Sequence, residues 1–335
     1  KFKKVAADFP KTPEALEAVS TARLIYFDNG RVDEYATWVR TLDFVAVTDA
    51  ELDNDTYEAA EKQYLQNNTK QAIVGFSSYV SKFPRGIHSL KANFYLAQLY
   101  FSDAQESKSI PNYEYVTTQP RNEFTEQSLA RLAQIYLKNE DKSKAIAVLL
   151  RLENEADFPQ NKTFAQSNLM KSYYGNKDYP NSVVYAEKVL VNPKTDDNVK
   201  SDAQIIIARA AIQTGDESKA RSAYAKLQTI AKGELAAEAL YYDAYFKNKD
   251  GKFEDSNTVV QKLAKNYSSY KFFGAKGLIL MAKNFYGLKD SFQATYILDS
   301  VIKNFTDFPD VVSEAQTELD TIKSEEAKTN SSITN

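Results

Sequence analysis

His88, in the stretch RGIHSLKA, is the only histidine of the 335-residue chain, and there is no cysteine. A serine or cysteine nucleophile needs a base held against it, and no such pairing is identifiable around this single imidazole. A transition-metal site needs several His or Cys ligands, so none is expected. His88 falls near the start of a helix, where a solvated or capping role is the expectation. The carboxylate pairs Asp196–Asp197 and Glu325–Glu326 lie in a polar turn and in a polar tail. Acid–base work requires burial to move a carboxyl pKa, and neither place offers it. A glycine-rich phosphate loop and an HExxH helix are both missing from the sequence. The chemistry expected is therefore recognition: no catalytic residue, no cofactor, no metal, and a protein that is not an enzyme.

Charge narrows the class of partner. Forty-two Lys and Arg against 45 Asp and Glu give a net charge of -3, which supplies no general pull toward nucleic acid or an anionic membrane. No nucleic-acid partner is expected, and RNA reading by a helical repeat, which would need a basic groove, is disfavoured. No run of about 18 apolar residues exists to cross a bilayer, so this chain is not expected to insert in one. The lack of cysteine excludes disulfides and suits an oxidising compartment.

The elements that must position any binding residue are helices. Apolar residues recur at i, i+3, i+4 and i+7, as in SLARLAQIYL (128–137) and KAIAVLLRLE (144–153), and strand-like alternation is missing. Polar groups such as KNEDKS, GNKDYP and QTGDES separate the helical stretches at short intervals, so the chain is expected to fold as antiparallel helix pairs. The pairs are copies of one unit. A small residue in the first helix is followed twelve places later by one in the second: Ala60 and Ala72, Ala97 and Ser109, Ala133 and Ala145, Ala208 and Ala220, Ala244 and Ser256, Ala282 and Ala294. Met170 with Ser182 fits in half. Helices that cross closely require such residues, because longer side chains would hold the backbones apart. Four and seven residues beyond the second small residue stand Phe76 and Tyr79, Tyr113 and Val116, Leu149 and Leu152, Ala186 and Val189, Tyr224 and Leu227, Val260 and Leu263, Leu298 and Val301. These fourteen form the expected core, and most of the 22 tyrosines fall on core positions.

This pattern resembles the tetratricopeptide repeat family, whose signature of a large residue, a small residue and an aromatic three on appears as Leu96, Ala97, Tyr100 and as Leu132, Ala133, Tyr136. The resemblance implies an all-α fold: a right-handed superhelix (solenoid) of about eight tetratricopeptide-like helix pairs. The first pair, around Arg23 and Tyr35, lacks both small residues. The expected boundaries are 1–10 for the end of a preceding second helix, 11–308 for the repeats, 309–323 for a capping helix and 324–335 for a polar tail. Because Phe9 and Pro10 match Phe83 and Pro84, residues 1–10 imply a missing partner helix and further upstream repeats of the same chain.

In the family the first helices line a concave groove that binds peptides. Carried across residue by residue, the implied partner-binding positions are Phe94, Gln98, Phe101, Gln134, Lys171, Tyr174, Arg209, Tyr241, Tyr245 and Lys283. Each aromatic is expected to be free of packing duties within its own helix pair. The family's clamp for a C-terminal carboxylate is not reproduced. The function implied is a non-enzymatic scaffold holding a peptide or protein partner in its groove, as part of a multi-protein assembly. The alternative is the binding arm of a larger enzyme whose catalytic domain lies elsewhere. Units longer than the family's, with a Phe-Pro ending, resemble repeat proteins of bacterial envelopes, which implies a periplasmic or envelope location, with the cytoplasm as the alternative.

Overall fold

The computed structural model describes residues 1–333, with side-chain surroundings for residues 1–328. Its eighteen helices fall in the order the periodicity implies, and there is no strand among the described residues. A short helix α1 (Phe2–Asp8) precedes eight pairs: α2 (Pro13–Asp28) with α3 (Val32–Val39), α4 (Asp49–Leu65) with α5 (Thr69–Lys82), α6 (Ser89–Ser102) with α7 (Glu106–Thr118), α8 (Thr125–Lys138) with α9 (Lys142–Glu155), α10 (Pro159–Gly175) with α11 (Tyr179–Val191), α12 (Asp197–Thr214) with α13 (Glu217–Ile230), α14 (Gly233–Lys249) with α15 (Phe253–Asn266), and α16 (Lys271–Gly287) with α17 (Ser291–Asn304). Helix α18 (Pro309–Ile333) closes the order, running on through most of the segment expected as a tail, whose residues 334 and 335 lie outside the described residues. The chain divides into two compact units, residues 1–162 and 163–335.

Each pair is closed by the same turn. Seven residues after the crossing position of every first helix the backbone turns left-handed, at Gly30, Asn67, Ala104, Glu140, Lys177, Gly215, Gly251 and Lys289. The following N–H, of Arg31, Asn68, Gln105, Asp141, Asp178, Asp216, Lys252 or Asp290, reaches the carbonyl five residues back. This is the Schellman closure, which satisfies otherwise unpaired carbonyls at a helix end. Asp141, Asp178, Asp216 and Asp290 then cap the second helix by accepting from the N–H three residues on. One short segment thus ends one helix and begins the next.

The crossing positions behave as close contacts require. Every residue of the seven small-pair sites, from Ala60 and Ala72 to Ala282 and Ala294, is no more than 2% exposed. In unit 1 a Cβ added to Gly75 would stand 2.7 Å from the Cβ of Ala60, so α4 and α5 nearly touch there. In unit 2 the Ser256 hydroxyl donates to the Ala244 carbonyl at 2.8 Å, a helix-to-helix bond only a short side chain could make. The fourteen expected core residues are likewise buried to 2% or less.

The ends differ from the middle. At the first pair the large Arg23 and Tyr35 occupy the crossing, α3 stops at Val39, and the chain runs non-helical until Thr48 begins α4 with a capping box to Glu51. Phe2 of α1 is 39% exposed, whereas the aligned Phe76 is fully buried. At the other end α18 turns Val311, Ala315, Leu319 and Ile322 onto the α16–α17 core and shows Ser313, Gln316, Thr317 and Asp320 to solvent. That single polar-backed helix covers the last repeat.

Candidate functional site

In unit 2 the first-helix face is stitched to itself. Lys171 of α10 meets Asp202 of α12 at 2.6 Å, and Lys283 of α16 meets Glu318 of α18 at 2.6 Å. Arg209 of α12 forks onto Glu238 of α14, with Nε and Nη2 at 2.9 and 2.5 Å from the two carboxylate oxygens. Glu238 is 3% exposed and also accepts from the Tyr224 hydroxyl at 2.9 Å. The paired carboxylate raises the Arg209 pKa further above its ordinary value. Lysine or arginine one residue past the crossing position therefore finds an acid on the next first helix or on the cap.

The aromatics of that face are also engaged. Tyr174 meets the Tyr179 ring edge-on at 5.7 Å between centroids, Tyr241 lies 6.1 Å from Phe273, and Tyr245 lies 5.5 Å from Phe246. All three tyrosines are half-buried. The expectation that their own helix pair gives these side chains no packing role is corrected for Tyr174 and Tyr245, whose ring partners lie within the pair, while Tyr241 packs on the next first helix.

Unit 1 is arranged differently. Phe94 of α6 is corrected from a groove position to a core one, because it is only 4% exposed and stacks on Phe124 at 4.2 Å. Phe124 lies in the turn before α8, out of reach of any helix-periodicity argument. Phe101 is half-buried beneath the Arg131 guanidinium, 4.5 Å from ring centroid to carbon. Arg131 gives Nη1 to the Gln134 side-chain oxygen at 2.9 Å and meets no carboxylate among the described residues. Gln98 is approached by the Tyr64 hydroxyl at 3.5 Å, at the limit of a hydrogen bond. Tyr64, Gln98, Phe101 and Arg131, with Leu99, Ser102 and Tyr113, line a recess of about 180 Å³. Tyr113 is fully buried, and its hydroxyl has no hydrogen-bond partner among the described residues. Burial pushes its pKa up to about 12 while the nearby Arg131 charge pulls it back.

The structure thus brings Gln98 and Phe101 together beside Arg131 in unit 1, leaves Gln134 outside that recess as the hydrogen-bond partner of Arg131, and commits Lys171, Arg209 and Lys283 to internal ion pairs in unit 2. Sequence reasoning missed Arg131 and Tyr64 as members of the face. A signal for them existed: Tyr64 and Phe101 both stand four residues past a crossing position, and Arg131 stands two before one.

His88 neither caps a helix with its side chain nor stands free. Its ring stacks on Tyr57 at 4.1 Å and its Nε2 bonds Asn54 Oδ1 at 2.9 Å. Beside it, buried Asp53 accepts from the Tyr79 hydroxyl at 2.5 Å and from the Ile87 N–H at 3.2 Å. These contacts pin the turn between α5 and α6. Asp196 caps α12, and Glu325 and Glu326 accept from Tyr286 and Ser291. Among the described residues no three His, Asp or Glu side chains converge as a metal site, and no helix is long and apolar enough to cross a membrane.

No protein-family model matches the sequence, and none of the curated proteins does. Solved structures are similar in their helix-pair fold. A tetratricopeptide repeat protein of Parabacteroides merdae shares 13% identity over 79% of this chain and 98% of its own, with a TM-score of 0.37. The C-terminal part of a repeat-containing protein of Cytophaga hutchinsonii shares 16% identity, covering 73% of this chain and 94% of that one, at 0.47. The TPR2AB domain of yeast Sti1, solved in complex with pHSP90, shares 15% over 81% and 96%, at 0.35. The decisive observations are internal to the chain: small residues buried at each of seven crossings, one turn repeated eight times, and a core in constant register. On these grounds the chain has the fold of the tetratricopeptide repeat proteins.

Proposed function

We propose that this chain is a non-enzymatic scaffold that holds a protein or peptide partner against the first-helix face of its repeats, within a multi-protein assembly of a bacterial envelope. One observation carries the reading. In unit 1 the residue four past each crossing position is large and apolar or aromatic, Phe27, Tyr64, Phe101 and Leu137, and all four are half-buried, neither in the core nor fully in water. A register of large side chains that the repeat leaves partly uncovered is the footprint of an interface, where aromatic and arginine anchors supply most of the affinity. The envelope location rests on the resemblance carried by the length of the repeat unit and its Phe-Pro ending, and is tested by cell fractionation.

The binding reading is tested by placing a photo-crosslinking amino acid at Phe101 and, separately, at Ser143 on the exposed outer side of α9, in cells of the native source. A defined protein crosslinked from position 101 and not from 143, and then bound by the purified chain, is the expected result. Crosslinks from 143 alone would move the interface to the second helices.

A further inference from the structure

Between α3 and α4 the chain carries strand-forming residues in place of turn formers. The connections after α5, α7 and α11 contain Pro84, Pro120 and Pro193, whereas the one after α3 reads LDFVAVT (42–48). Phenylalanine, valine and threonine suit a pleated, half-buried surface. From Val45 onward the side chains alternate: Val45 and Val47 are half-buried, and Ala46 and Thr48 are exposed, which is the period of a strand. Yet no backbone N–H or C=O of residues 43–47 bonds to another described residue. The segment is nonetheless held in place. Val45 and Val47 pack on the cluster of Val19, Tyr35 and Leu52, Arg40 pairs with Asp49 at 2.8 Å across the connection, and the Thr48 capping box fixes the exit. An unpaired strand edge is a template for another chain, and one already ordered costs its partner less to join.

Beside the segment lies a recess of about 210 Å³ with Leu16, Val45 and Val47 on its apolar side. Leu16 is 50% exposed there. On the polar side Arg23 forks onto Asp55, so those two charges cancel. Glu51, which meets no cation in an ion pair among the described residues, leaves the recess one net negative charge. The occupant follows from these features. A row of unbonded backbone groups calls for an extended chain, the exposed leucine for an aliphatic side chain, and the charge for a basic one. Two side chains of a strand that enter one recess stand two residues apart. We propose that residues 43–47 are a docking edge to which an extended segment of the protein partner adds as a strand, seating an aliphatic residue against Leu16 and a Lys or Arg two places away toward Glu51. The assignment rests on the reading that the chain binds protein and is independent of the first-helix face.

The test titrates the intact, isotope-labelled chain with an acetylated and amidated peptide of sequence KTVTK and follows amide exchange at Val45, Ala46 and Val47. Two comparison peptides are ETVTE and a KTVTK methylated on its central backbone nitrogens, which cannot donate. In the free chain the three amides should exchange at nearly the rate of an unstructured peptide, and saturating KTVTK should slow them about tenfold. A46P removes one edge N–H and should weaken KTVTK about fivefold, the worth of one net hydrogen bond. E51Q, whose amide can still close the Thr48 capping box, should weaken KTVTK about threefold and leave ETVTE no weaker. Unchanged exchange at saturation, or equal binding of the methylated peptide, would overturn the edge. Equal affinity for ETVTE would overturn the basic character of the partner. Amides already slow in the free chain would also overturn the proposal, and slowing that grows with protein concentration would assign the edge to a second copy. A silent titration alongside a partner crosslinked from Phe101 would remove the edge and leave the scaffold reading standing.

Discussion

The two units build the same face from the same repeat and put it to different ends. In unit 2 the residues just past the crossing include Lys171, Arg209 and Lys283, and an acid on the following helix neutralises each. In unit 1 Arg23 of α2 likewise forks onto the buried Asp55 of α4 and Lys62 pairs with Asp28, but the positions just past the later crossings hold Glu61, Gln98 and Gln134, and the nearby cation, Arg131, meets no acid among the described residues. A side chain bound within the array rigidifies it, and one left unmatched is available to a partner. The presence of a cation on a groove therefore says little until its neighbour one repeat further along is known.

The comparison can be broken first through packing, where the largest effect is expected and the units should respond alike. Leu149→Ala in unit 1 and Leu227→Ala in unit 2 each remove a fully buried side chain and should cost about 2–5 kcal/mol in denaturant unfolding. Because repeats touch mainly their neighbours, hydrogen exchange should rise in adjoining helices and not across the other unit. Uniform acceleration in both units would contradict the repeat picture.

The next effect should separate them. Arg209→Ala leaves the buried Glu238 carboxylate without its fork and should cost about 3 kcal/mol, the lower end for breaking a buried pair, because the arginine itself is 40% exposed. Gln134→Ala at the equivalent position of unit 1 should change stability by less than about 0.5 kcal/mol. Equal losses from the two substitutions, measured by thermal unfolding, would remove the distinction between the faces.

How much of this was legible beforehand follows from the range of each interaction. The crossings and the fourteen core residues repeat within one helix pair, so spacing alone placed them. The ion pairs of unit 2 join side chains about one repeat apart, with no local signature. Tyr113 was legible as core, but its orphaned hydroxyl is a property of its surroundings and not of its position. The left-handed turn residue also escaped notice, because only Gly30, Gly215 and Gly251 mark it by type, while Asn67, Ala104, Glu140, Lys177 and Lys289 do the same work.

That turn supplies a smaller test that spans both units. Glu140→Gly and Lys177→Gly relieve a left-handed side-chain conformation and should stabilise by up to about 1 kcal/mol, whereas Gly215→Ala should cost about 1 kcal/mol. A Cβ at Gly215 would meet nothing within 4 Å, so that cost is backbone strain alone. A neutral Gly215→Ala would contradict the shared turn.

Tyr113 gives an effect confined to high pH, and its sign is fixed by burial. The phenol is raised from 10.0 to about 12 in the folded chain. Its contribution is therefore fully present below the unfolded value and lost as pH rises from about 10 through 12. Tyr113→Phe should flatten the stability-against-pH curve in that window relative to the parent. A curve that steepens would contradict the burial argument.

The central claim is that partner contact belongs to the part of the unit 1 face around Phe101 and Arg131, where the cation is unmatched among the described residues. It is tested most directly by photo-crosslinking from two equivalent positions, Phe101 in unit 1 and Tyr174 in unit 2, each four residues past its crossing. The account predicts one partner captured from position 101, with little or no capture from 174 in the same cells. Capture from 174 and none from 101 would contradict it.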